Sequence, residues 1–492
     1  MFKNRKRKQN ETTMNTQDKM RWLALMVLCL GDLMIVLDIT IVNVALPSIK
    51  TDLGFSETSL VWIVNAYMLT FGGFLLLGGR LGDLFGKRRV FLIGLILFTL
   101  ASLACGLANS QGLLIAARAL QGLGGAIVAA VALSLIINLF QKDDERAKAM
   151  GFFGFIAAGG GAIGVLLGGV LTGALNWHWI FLVNVPIGIL VIVLCLHLLP
   201  ADKGQGEVKH LDFMGAITIT TSLMLAVYAI VNGNQAGWLS NQTLGLLGTA
   251  IILFVLFLYI EKKVPVPLVP LSIFSNRNVS SASIIGILWS AAMFAWFFLS
   301  ALYLQLVLNY TPMQIGLSFL PANLIMAVFS VGLSAKIVMH FGTKLPLAVG
   351  MGLVAIGLGL FAFAPVNGTF LLHVLPGMIL LGLGAGLAFN PILLAAMSDV
   401  SEEESGLASG VLNTAFMMGG ALGLATLASI AVFRTQTLIA SGSEQLIALN
   451  SGYHYAFFVG ALFGGLAALL SWLFLREKKQ QAHEKAMNSG MH

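Results

Sequence analysis

The chain has 492 residues, 58% of them hydrophobic and 10% charged, with a formal net charge of +7 and a mean hydropathy of +0.91. Soluble domains carry about 25% charged residues, so a water-soluble enzyme or binding module is excluded and a protein that crosses a bilayer many times is expected. The excess of base follows membrane orientation, as its placement below indicates, and no nucleic-acid partner is expected.

A membrane helix needs about 20 apolar residues. Fourteen such runs are read, over 22–46, 57–79, 89–108, 112–140, 150–175, 179–199, 213–233, 241–260, 279–308, 314–339, 345–364, 371–398, 406–433 and 453–475. The fold class expected is an all-α integral membrane protein. The basic N-terminus leads into a full-length run with no small-residue cleavage site, so no cleavable signal peptide is expected. Cys29, Cys105 and Cys195 fall in apolar runs and are expected as buried thiols.

Lys and Arg mark the sides. Of 28, 25 lie in the two tails and the loops of one side, while the other side has only Lys50 and Arg434, and Arg118 lies within a run. The positive-inside rule then places both termini in the cytoplasm. An internal repeat is visible. Leu120-Gln121-Gly122-Leu123-Gly124-Gly125 echoes Leu380-Leu381-Gly382-Leu383-Gly384-Ala385 at an offset of 260, and Phe85-Gly86 echoes Phe341-Gly342 at 256. The division expected is a basic tail over 1–21, a six-helix bundle over 22–200, an insert with the seventh and eighth runs over 201–274, a second bundle over 275–476 and a tail over 477–492. Parallel halves of this kind enclose a substrate site near the midplane.

The first run carries Asp32 and Asp38. A carboxylate at membrane depth costs roughly 2.5–3.5 kcal/mol on insertion scales, so each needs a proton, a cation or a partner charge. Asp38 lies roughly 12 Å from the outer end of its helix and Arg118 roughly 9 Å from the outer end of the fourth. Similar depth predicts an ion pair or a shared water network. Such a pair is either a permanent bridge or an acid whose proton competes with a cationic substrate. Asp32 sits about 120° round the helix and about 9 Å deeper, as a second proton or cation site or as a satisfied polar residue.

The loop after the second run reads Gly79-Arg80-Leu81-Gly82-Asp83-Leu84-Phe85-Gly86-Lys87-Arg88-Arg89. Its glycines allow a tight turn, and Asp83 is placed to cap a helix of the other half. It is no nucleotide loop, because Gly86-Lys87 lacks the upstream glycine and the following Ser/Thr. An ATP-driven pump is therefore not expected. In the fifth run Gly160, Gly164 and Gly168 recur every fourth residue beside Gly169, a smooth face for packing, bending or sliding. Asn43, Asn65, Tyr67, Trp296, Phe298, Gln305, Asn390 and Met417 are candidates for a substrate cavity, since aromatics and Met suit adaptable apolar binding. No metal site is read.

These stretches resemble a known family. Gly79–Arg89 is similar to the signature between the second and third helices of the major facilitator superfamily. Leu37–Pro47, Arg118-Ala119-Leu120-Gln121-Gly122 and Gly160-xxx-Gly164-Val165-xx-Gly168-Gly169 resemble motifs of its drug:proton antiporters, and Trp177–Gly188 resembles the approach to the sixth helix in the fourteen-helix branch. Val165 replaces the usual proline of the fifth-helix motif, His178 stands where Arg is common, and the second-half loop 333–344 is degenerate.

The resemblance implies proton-coupled export of lipophilic cations (quaternary ammonium compounds, dyes, biguanides) by alternating access, with Asp38, Asp32 and Arg118 in coupling or cation recognition. It implies no cofactor beyond the proton gradient, and a monomer in the bacterial inner membrane. The alternatives are an exporter of one metabolite, antibiotic or lipid, and, remotely, a non-transporting sensor or scaffold, which would be expected to carry a long soluble appendage.

Overall fold

The computed structural model describes residues 2–140, 142–200 and 211–476. Lys203, Lys209 and the tail 477–492 lie outside them. The helices are α1 (Phe2–Leu53), α2 (Glu57–Phe85), α3 (Lys87–Gly106), α4 (Gln111–Leu139), α5 (Asp143–Ala174), α6 (Trp179–Leu198), α7 (Phe213–Ala236), α8 (Asn241–Lys263), α9 (Arg277–Val307), α10 (312–341), α11 (Lys344–Phe361), α12 (Phe370–Met397), α13 (Glu402–Ala440) and α14 (Gln445–Phe474). Among the described residues there is no strand. Thirteen of the helices are long and apolar enough to cross a membrane. The remaining one, α10, is apolar over Pro312–Val328 and continues through a widened turn at Phe329–Leu333 to Phe341.

Local chemistry starts these helices where the apolar runs begin. Ser56, Ser110, Ser240, Asn276 and Ser401 cap α2, α4, α8, α9 and α13 with side-chain oxygens, and Thr311 and Gln314 form a capping box on α10. Each cap satisfies an amide that the helix leaves open. Between α2 and α3 the chain turns at Gly86, whose φ of 93° only glycine adopts without strain.

The same pairings recur in both halves. α1 packs on α5, α2 and α3 on α4, and α1 and α3 on α6. Correspondingly α9 packs on α13, α10 and α11 on α12, and α9 and α11 on α14. Glycines at matching positions allow this. A Cβ on Gly122 would lie 2.3 Å from the Tyr67 carbonyl oxygen, and one on Gly382 would lie 2.5 Å from that of Ala322. Likewise Gly124 abuts the backbone of Phe98, and Gly384 that of Gly350 and Val354. Backbones this close leave no room for a side chain.

The halves meet along α2–α13 and α5–α10. The insert is placed on one of these seams. α7 packs on both α2 and α13, and α8 packs mainly on α7. Tyr228 of α7 lies beside Trp62 with the rings tilted and their centroids 6.3 Å apart, while Asn234 donates to the Ser429 carbonyl at 2.8 Å. One helix of the insert therefore straddles the joint between the two bundles.

Candidate functional site

The chemistry concentrates where α1, α4 and α6 meet. Asp38 is 0% exposed and Arg118 1%. The Arg118 guanidinium donates to Asp38 Oδ2, and its Nη1 also donates to Gln121 Oε1 at 2.6 Å. Its Nε donates to the Ile63 carbonyl at 2.9 Å, which fixes the arginine against α2. Gln121 Nε2 donates to Asp38 Oδ1 at 2.6 Å and to Ser102 Oγ at 2.7 Å, and Asn184 Nδ2 adds a third donor to Asp38 at 3.1 Å. Tyr67 lies flat under the arginine, its ring 4.5 Å from Cζ. A buried pair is tolerated when its remaining donors and acceptors are filled; here both oxygens of Asp38 accept, while Asn184 Oδ1 and the Tyr67 hydroxyl stay buried without a partner.

The expected ion pair of Asp38 and Arg118 is thus present, and Tyr67 belongs to it. Gln121, Asn184 and Ser102 are partners that inspection of the sequence did not single out as site residues. Gln121 carried a signal, because three residues separate it from Arg118 and place both on one helix face. Asn184, 146 residues from Asp38 in the chain, carried none.

Asp32 stands apart. It is 8% exposed, and among the described residues no hydrogen bond or ion pair reaches its carboxylate. The two acids on α1 therefore differ in kind, one held by three donors and the other buried without a partner among the described residues.

The glycines of α5 serve two neighbours. Gly160, Gly164 and Gly168 face α1, where added Cβ atoms would meet Val36, Thr40 and the Ile41 carbonyl. Gly169 faces α10 in the other half, its Cβ position 2.9 Å from the Pro312 carbonyl. With Val165 in place of the proline, α5 runs unbroken as an α-helix.

In the loop, Gly82 packs on Val131 and Gly79 is nearly free, while Arg80 is exposed. Asp83 does not cap the other half. It is half exposed and pairs with Lys87 at 3.6 Å, one turn away, and the start of α13 already has its own cap in Ser401. Arg88 donates to the Leu196 carbonyl at the end of α6.

The cavity candidates disperse. Asn65 donates to the Ala421 carbonyl at 3.0 Å and ties α2 to α13. Asn43 donates to Ile39 in its own helix. Asn390 donates at 2.7 Å to the Ser330 carbonyl, inside the widened turn of α10. Met417 packs where Gly72 leaves space. Trp296 and Phe298 are buried, Trp296 among Phe297 and Phe319. Gln305 lies in the widened turn Tyr303–Val307 of α9, with a buried Oε1 that has no partner. A recess of about 610 Å³ opens at the end away from the basic loops, lined by Lys50, Glu57, Gln235, Thr435 and Glu444 among others. None of the eight candidates lines it.

Comparison with known proteins fits this architecture. The family model "Major Facilitator Superfamily" matches residues 28–424. The puromycin resistance protein of Streptomyces alboniger is 37% identical over 95% of this chain and 94% of its own length. The cephamycin export protein of Amycolatopsis lactamdurans is 37% identical over 83% and 84%, and the multidrug resistance protein Stp of Mycobacterium tuberculosis 36% over 83% and 75%. Among solved structures, an auto-inhibited peptide transporter of the POT family superposes with a TM-score of 0.66 at 15% identity, covering 94% of this chain and 99% of that one. The xylose transporter XylE of E. coli does so at 0.62 and 16%, covering 95% and 99%. With a family match across most of its length, relatives named for antibiotic resistance and export, and a fold of two six-helix bundles, the chain is a multi-pass membrane transporter, not an enzyme, and belongs to the major facilitator superfamily.

Proposed function

We propose that this transporter exports lipophilic, mostly cationic drugs in exchange for protons, as a monomer in the bacterial inner membrane with both termini cytoplasmic. The observation that carries the reading is the buried knot of Asp38 with Arg118, Gln121 and Asn184. A proton arriving on Asp38 cancels the charge that holds three donors together, so α1, α4 and α6 lose a shared tie. The unpartnered carboxylate of Asp32 is the counter-charge offered to a cationic substrate. Substrate and proton then compete for acids on one helix, and rocking of the halves along α2–α13 and α5–α10 carries each across.

A second reading has its own support. Three relatives are named for puromycin, cephamycin and lincomycin, which favours export of one antibiotic or metabolite. Ethidium transport into everted vesicles with an acid interior tests both. Gradient-driven uptake in wild type that is lost in Asp38→Asn is the expected result. Uptake that ignores the gradient, or survives in Asp38→Asn, overturns coupling through this knot. Absence of ethidium transport with gradient-driven puromycin transport favours the narrower reading.

A further inference from the structure

The two seams between the halves differ at the end away from the basic loops. The α5–α10 seam is tight there. A Cβ on Gly169 would lie 2.9 Å from the Pro312 carbonyl, in the first turn of α10, and one on Gly316 would lie 2.7 Å from that of Val165. On the α2–α13 seam the close contacts run from Leu76 against Gly410, through Met417 at Gly72 and Met68 at Gly420, to Asn65, which donates to Ala421. From Asn65 to the start of α2 at Glu57 is a further eight residues, roughly 12 Å of helix. The recess of about 610 Å³ opens beside that stretch. Lys50, Glu57, Thr435 and Glu444 line it from both halves, and Gln235 lines it from the insert. Next to Gln235, Asn234 is tied to Ser429, so α7 forms a wall where α2 and α13 part.

The lining has two characters. Leu306, Val432, Leu446 and Leu449 give it an apolar side. The polar side carries two carboxylates and one ammonium group. Lys50 pairs with Glu57 at 3.0 Å. Arg434, the other lysine or arginine at this end, is turned to Ser451 and to the Tyr455 ring, 4.6 Å from its centroid. Glu444 precedes α14 without capping it through its side chain, and among the described residues no ion pair reaches it. An anion meets net repulsion here, and a bare metal ion leaves the apolar side unused. An organic cation with an apolar body uses both sides, and the volume falls within the range of about 300–1,000 Å³ usual for small-molecule sites.

We propose that this recess binds organic cations with an apolar body, at a site separate from the acids of α1, and that an occupant holds α2 and α13 apart at this end. Its ligand class follows from its own lining, so the site stands whether or not Asp38 couples transport to protons. The halves close here when they rock, so closure has to expel the occupant.

Binding of radiolabelled tetraphenylphosphonium to the purified protein in a neutral maltoside detergent tests the site. In the D32N/D38N double variant, where the acids of α1 contribute no charge, saturable binding is expected. Adding E444Q should weaken it about fivefold, the factor that one exposed charge a few ångströms away supplies in water. Adding K50Q, which releases Glu57, should tighten it by a similar factor. The same opposite shifts are expected in one class of sites on the wild-type background, so the result does not depend on the fold of the double variant. Binding that does not saturate, or shifts that do not differ in sign, overturns the site. Nitroxides on T51C and T437C, both exposed and outside the lining, read the gap, since the three native cysteines are buried. Tetraphenylphosphonium should shift their distance distribution to larger separations, and E444Q should need about five times the concentration. A distribution that ignores the cation overturns the wedge.

Discussion

The two halves share a backbone plan and differ in chemistry. Arg118 and Gln121 of α4 correspond, at the repeat offset of 260, to Met378 and Leu381 of α12, and both of those are 0% exposed. Where the first half buries a charge and its partners, the second buries apolar side chains around the same pair of close-packed glycines. Conversely, the widened turns at Tyr303–Val307, Phe329–Leu333 and Phe370–Val374 all fall in the second half, and among the described residues the first half has none. Such turns leave backbone groups to be satisfied elsewhere and mark places where a helix deforms. The difference teaches that backbone packing and polar chemistry are separable here. The glycine scaffold makes the bundle, the first half adds a charge-locked joint, and the second adds compliance.

The comparison breaks most severely if the first half is given a single residue of the second. Arg118→Met leaves Asp38 buried and unpaired, and removing one partner of a buried pair costs about 3–5 kcal/mol. Thermal unfolding of the purified protein should drop sharply and gradient-driven transport should vanish. Converting the whole knot should undo the first effect and not the second. With Asp38→Leu, Arg118→Met and Gln121→Leu together, no charge is stranded, and such replacements range from neutral to stabilising by about 1–4 kcal/mol. Near wild-type melting without gradient dependence is expected. A triple variant as unstable as Arg118→Met would show that the knot, rather than packing, holds the first half.

Smaller changes sharpen the shared part of the plan. Gly122→Ala and Gly382→Ala each push a Cβ into a neighbouring carbonyl, so both should destabilise by a similar amount, about 1–3 kcal/mol. A melt that responds to only one of them would deny the equivalence of the halves. The mildest effect is expected from Asn390→Ala, which removes the donor to Ser330 in the turn of α10. A loss of about 1 kcal/mol and slower transport with gradient dependence intact would assign the turns to motion and not to coupling. Lost coupling in this variant would contradict the division of labour.

Much of this was determined by the sequence alone. Membrane class and the fourteen runs follow from local rules, and the sequence offered Asp38 and Arg118 as residues at one depth without settling how they meet. Apolar length sets a span, and similar depth made a meeting of Asp38 and Arg118 possible. Gly86 was readable for the same reason, since its turn is a backbone property of one residue. Partners brought together by distant packing were not readable. Asn184 reaches Asp38 and Asn65 reaches Ala421 only because helices far apart in sequence pack side by side. Polar residues in apolar runs look alike until their neighbours are known. Asn65, Asn390 and Gln305 were equally good cavity candidates, yet the first ties the two halves, the second mends a widened turn and the third sits in another. The sequence announced that these groups needed partners, because burying a polar atom unsatisfied is costly, and the tertiary structure alone decided which partners they found.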